Sequence, residues 1–271
     1  MRLSEKALRE QADDPTVKML DLWHSLCVEK IGYTIEVMID NTKKITTANS
    51  TKYEEFNQVD PITFEGKVML CLHLESLTDN SISLESLSLA DNILISHEIG
   101  HGVLLLQDFT RCIDSHEIYD DVDLDFILNT MAHHPPLYAL QMSFGHEPQS
   151  EINDRTLYYI EEFSKTGETN NNHECKRNAL ILADELLNCS ETYKQKLIEI
   201  VEKKHPKTTK ILRKILQLEK SYDLLNPEQN FEFKRELIQD LSLGSGWIKY
   251  DVVSDLKSMI AQAKSSKKST N

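Results

Sequence analysis

The residues best suited to chemistry are His97, Glu98 and His101, an H-E-x-x-H pattern inside the stretch from Ile95 to Leu106. On a helix, side chains four apart share a face, so both imidazoles can turn a ring nitrogen toward one ion. Glu98 stands about 100° further round the helix. From there it does not easily join the two-histidine chelate, but it reaches a water beside the ion. Two imidazoles holding Zn²⁺, with a carboxylate to take the water's proton, make a hydrolytic zinc site. A chance match to the pattern would usually fall in a polar surface helix. This one lies in one of the most apolar stretches of the chain, between Ala90, Ile93, Leu94 and Ile95 on one side and Val103 to Leu106 on the other. Two histidines and a glutamate without partners would be costly there.

Catalytic zinc takes three protein ligands and keeps one position open, so a third ligand is required. An x-x-Gly-x-x-His extension after the second histidine is absent, because Leu104 and Gln107 occupy those places. Glu174 is the first candidate. It opens a strongly apolar helix, and Asn178, one turn on, can hydrogen-bond a ligand. Glu151, with Asp154 nearby, is the second candidate, followed by His133, His134 and His116. A donor for the developing oxyanion is also expected, with His133, His134, Tyr138 and Tyr158 as candidates.

These side chains must be carried by regular elements. Residues 2–12 read as a short polar helix. Asp14-Pro15 starts a longer helix, with Asp14 as the cap, and Gly32 ends it. Alternation predicts a strand over 33–39, weaker strands near 45–48 and 52–56, and a strong strand over 67–75 that is either central or next to the H-E-x-x-H helix. Its edge offers a place for a peptide to add as a further strand. Pro61 and Glu65-Gly66 read as punctuation and a turn. The H-E-x-x-H helix is predicted from a Ser83 cap to about Gln107. Gly100 within it costs about 1 kcal/mol against Ala, which predicts close packing there. Residues 113–125 read as a solvated acidic loop. Pro135-Pro136 is expected to separate an apolar segment from a short helix over 137–142 that Gly145 ends. Helices are predicted over 150–163, 174–187, 193–202, 208–222, from Asn226-Pro227 onward, and near 252–263. Gly244-Ser245-Gly246 reads as a turn.

The 271 residues carry a net charge of −14, which disfavours general nucleic-acid binding. Glycine and proline are scarce, which favours helices. Neither an apolar leader nor a membrane span is evident, and five widely spaced cysteines without C-x-x-C read as reduced buried thiols. A cytoplasmic protein is the expectation. The lysines of 194–220 read as a solvated face.

The order helix, short sheet, H-E-x-x-H helix, then a helix with a leading Glu resembles the small gluzincins, and most of all the ImmA/IrrE-type metallopeptidases. The residues carrying this resemblance are His97, Glu98 and His101, then Glu174 with Asn178-Ala179 and Leu186-Leu187, over roughly residues 15–190. The resemblance implies an α+β, zincin-like metalloprotease domain, here over 1–190. The residues beyond it read by their own pattern as a helical extension over 191–263 and a Lys/Ser-rich disordered tail over 264–271. The resemblance also implies zinc held by His97, His101 and Glu174, Glu98 as the catalytic base, and a protein or peptide substrate. An alternative class is a non-catalytic zinc-binding module for protein interaction, which would have no need of Glu98.

Overall fold

A computed structural model describes residues 2–40, 58–64, 67–74, 87–114, 124–243 and 247–268. The architecture is α+β, rich in helix, with a small mixed sheet. Among the described residues no helix is long and apolar enough to cross a membrane. The chain divides into two compact units.

The first unit comprises residues 1–107, 140–146 and 251–271. It begins with strand β1 (Arg2–Ser4), helix α1 (Glu5–Gln11) and helix α2 (Asp14–Ile31). The cap of α2 is Asp13, one residue before the expected one: its carboxylate accepts from the Thr16 amide, and Pro15 follows in the first turn. Gly32, at φ 85°, closes the helix in the left-handed conformation that glycine tolerates. Strands β2 (Glu36–Asp40), β3 (Gln58–Phe64) and β4 (Lys67–His73) complete a four-stranded sheet of order β1-β2-β4-β3. β4 runs parallel to β2 and antiparallel to β3. It is therefore flanked on both sides, and the free edge expected of 67–75 does not exist. The outer strand is β3, which carries Pro61. Proline lacks the amide that an inner strand needs, and so belongs on an edge. The strands expected near 45–48 and 52–56 lie outside the described residues, as does Ser83.

Helix α3 (Leu89–Leu106) holds the H-E-x-x-H pattern. Its cap is Ser88, whose hydroxyl accepts from the Asp91 amide while Asp91 accepts from the Ser88 amide. The core of this unit joins Leu8, Trp23, Val37, Leu70, Leu72, Ile95, Ile99 and Val103 with Leu256 of the helix Val252–Lys268.

The second unit comprises residues 108–139 and 147–250. Helices α4 (Leu124–Phe144), α5 (Gln149–Lys165), α6 (Asn172–Asn188), α7 (Glu191–Lys204), α8 (Pro206–Glu219) and α9 (Pro227–Asp240) follow in order, and the last helix, Val252–Lys268, is α10. The first residues of α4 belong to this unit and its last residues to the other. Strands β5 (Arg111–Asp114) and β6 (Trp247–Tyr250) form an antiparallel ribbon that the sequence reading had not predicted. The turn expected at 244–246 is outside the described residues. Leu128, Met131, Phe163, Ala179, Leu182, Leu212, Phe233 and Leu237 make the core. All five cysteines are buried.

The break expected at Pro135-Pro136 is absent, because α4 runs through both prolines. Pro136 has no amide for the Ala132 carbonyl four residues back. The side chain of Asn230, fully buried on α9, supplies the missing donor: its Nδ2 lies 2.6 Å from that carbonyl oxygen. A side chain 98 residues away thus stands in for a helix amide.

Candidate metal centre

α3 is held at fixed height and rotation. At its start, Asn92 Oδ1 accepts from the Asp13 amide at 2.9 Å, and the Thr16 hydroxyl donates to the Asn92 carbonyl at 3.1 Å. The Gln141 side chain donates to the Ile93 carbonyl and the Ser96 hydroxyl, at 2.9 and 2.8 Å. Further along, the Trp23 ring lies against Gly102, where an added Cβ would meet the ring at 3.1 Å. Trp23 is itself pinned by its indole N–H, which donates to the Ile35 carbonyl at 2.7 Å. The demonstrated close approach on this helix is therefore at Gly102.

On this support His97 and His101 stand edge to face, ring centroids 4.8 Å apart and planes at 86°. Both are half-buried, whereas Glu98 between them is 6% exposed. His134 lies on α4, in the second unit.

The surroundings of His134 are polar and ordered. Its Nδ1 lies 2.8 Å from both carboxylate oxygens of Asp184 on α6. Arg155, on α5, donates to Asp184 Oδ2 at 3.3 Å, to Glu185 Oε1 at 2.5 Å and to the Tyr138 hydroxyl at 3.1 Å. The Thr156 hydroxyl donates to the other oxygen of Glu185. The Tyr138 ring, one turn after His134, sits 5.1 Å from the imidazole. Burial lowers the pKa of His134 against the pull of Asp184, which favours the neutral imidazole a metal needs. Burial raises the Tyr138 pKa, so its hydroxyl keeps its proton. It also raises that of Glu185, against the opposing charge of Arg155.

The two imidazoles of α3 are of a type that zinc accepts, and a catalytic zinc takes three protein ligands and keeps a fourth position open.

Glu174, expected as third ligand, is exposed in the first turn of α6. It accepts from the Thr169 hydroxyl at 2.6 Å, and Asn171 caps the turn. The buried acids of that helix, Asp184 and Glu185, lie at its other end. Glu151 is exposed. His133 is buried against Lys234, whose Nζ lies 2.9 Å from its Nε2. His116 lies outside the described residues, and Tyr158 is exposed and rests on Tyr159. Asp184, Glu185 and Arg155 had not been singled out. The available signal was an acidic pair inside the otherwise apolar run from Ala179 to Leu187, where burial demands partners.

No protein-family model, curated protein or solved structure matches the chain.

Proposed function

We propose that the chain is a zinc-dependent metallopeptidase of zincin-like fold, with His97 and His101 as zinc ligands and Glu98 as the general base. The observation that supports this reading is the pair of imidazoles standing edge to face on one helix with a buried glutamate between them in sequence. Zinc bound there supplies a water that loses its proton near neutral pH. Glu98 accepts that proton as the water attacks a peptide carbonyl, and delivers it to the leaving nitrogen. A peptide that docks by adding a strand would use β3, since β4 has no open edge.

The test is zinc stoichiometry and cleavage of a mixed peptide library, with and without chelator. Wild type should bind one zinc and cleave. Glu98→Gln should keep the zinc and lose cleavage. A variant that cleaves as well as wild type refutes the role of Glu98. Zinc binding without cleavage of any peptide or protein would move the reading to the non-catalytic interaction module.

A further inference from the structure

Within the second unit, the solvent side of α8 carries one sign of charge. Thr208, Thr209, Leu212 and Ile215 turn inward and are buried. Between them Lys207, Lys210, Arg213 and Lys214 stand exposed, and spacings of three and four put them on one face. Lys203 and Lys204, exposed in the last turn of α7, extend that face across the buried His205. From Lys203 to Leu218 the chain has these six cations and no acid. Two carboxylates lie nearby. Glu202 pairs with Arg213 at 2.6 Å. Glu168 is engaged by the amides of Lys207 and Thr208 and by the Thr208 hydroxyl. The Lys204 amine donates to the Ser164 carbonyl and the Lys207 amine to Asn170 Oδ1, both neutral partners. Among the described residues, Lys203, Lys210 and Lys214 have no carboxylate at ion-pair distance. This arrangement works against the helix. Like charges three and four apart repel, and Lys207 in the first turn opposes the helix dipole. In a chain of net charge −14, cations placed to support the fold would sit beside acids, and these do not.

We propose that the cationic face of α8 and the end of α7 docks an acidic helical segment of a partner protein. The chemistry of the face selects this occupant. No large apolar or aromatic side chain is exposed on it, so nothing there can stack on bases or enter a bilayer. Duplex DNA and an anionic membrane are extended polyanions, and either would bring its phosphates against the rest of an acidic protein. A short acidic segment needs to touch the face alone, and charge further off than about 8 Å is screened at physiological salt. Lys207 and Lys214 lie about 10.5 Å apart along the helix axis. Two turns of a helix with acids three and four residues apart match that span. The inference is independent of the metal reading.

The probe is a fluorescein-labelled Glu/Ala helical peptide with glutamates three and four residues apart, followed by anisotropy on the full chain. Wild type should bind it at low salt, and the affinity should fall at least about tenfold between roughly 50 and 300 mM NaCl. Lys210→Glu combined with Lys214→Glu should weaken low-salt binding at least about tenfold. Lys6→Glu combined with Lys257→Glu makes the same change of net charge at exposed positions of the first unit, and should weaken it less than about twofold. Circular dichroism checks that the variants fold. If the reversal unfolds α8, Lys210→Gln combined with Lys214→Gln takes its place, with a loss of at least about threefold. Absence of binding to wild type overturns the proposal, as does a loss of equal size in both double variants or no loss in the α8 variant. Tighter binding of an equally charged DNA duplex, or of phosphatidylserine vesicles, overturns the choice of partner and gives the face to nucleic acid or to membrane.

Discussion

Lys234 is fully buried in the second unit. Its amine lies 2.5 Å from the Thr110 carbonyl oxygen and 2.9 Å from His133 Nε2, and no carboxylate is among these partners. Two acceptors suit the two hydrogens of a neutral amine. Burial pushes its pKa from 10.5 down to about 7. Between those values the unfolded chain carries a proton that the folded one lacks, so stability should rise with pH, by about 1.4 kcal/mol per pH unit. Below pH 7 both states are charged and the whole penalty, about 5 kcal/mol, is in force; above pH 10.5 it is gone. Lys234→Met removes the titration. It also leaves two acceptors without a donor, at about 1–3 kcal/mol each, so the sign of its effect at one pH decides nothing. The pH dependence does. Urea unfolding at about pH 7.5 and about pH 9.5 should show wild type gaining roughly 2.5 kcal/mol on the variant over that interval. An unchanged difference would mean that the folded amine titrates like a solvated one, and the argument from burial would fail.

Three further outcomes are expected. Glu174→Ala should leave zinc affinity unchanged, because its carboxylate serves the Thr169 hydroxyl at an exposed helix start, whereas His101→Ala should weaken it by more than the roughly 10–100-fold typical of outer partners; chelator competition on both variants checks this. Asn230→Ala should destabilise by about 1–3 kcal/mol in chemical denaturation, since the Ala132 carbonyl then has neither a helix amide nor a side-chain donor. Gly102→Ala should cost about 1–3 kcal/mol in thermal or chemical unfolding, because the new methyl meets the Trp23 ring, which its bond to Ile35 keeps from yielding. Loss of less than about 0.5 kcal/mol would show that the ring can move.

What could be read from the sequence was local. The Asp-Pro start and Gly32 end of α2 and the Asn226-Pro227 start of α9 follow from chemistry within a few residues, and the structure has them within one residue of the expected place. What was missed depended on distant partners. Nothing near Pro135-Pro136 announces that Asn230 will supply the lost donor. Pro61 was read as a break because its neighbours do not reveal that β3 is an edge. β5 and β6 are four residues each, too short for alternation to stand out, and each exists because the other pairs with it. At the candidate centre, fixed spacing on one helix put His97, Glu98 and His101 together in the sequence reading, and the edge-to-face imidazoles of α3 keep that spacing. The contact of His134 with Asp184 was not legible, because it joins α4 to α6 and no spacing rule links the two.

The first unit draws its core from both ends of this sequence. Leu256 and Ala263 on α10 are buried together with Leu8, Trp23 and Leu72. During synthesis the strands and the H-E-x-x-H helix therefore emerge long before the helix that covers them. The second unit, finished by residue 250, can assemble while the first still waits for its last piece. Through that interval about 150 residues separate α3 from α10, and the apolar face that α10 will cover stays open to chaperones and to other nascent chains. A chain truncated before residue 252 should thus keep a protease-resistant second unit while its first unit is cleavable, and the chain that includes α10 should resist in both.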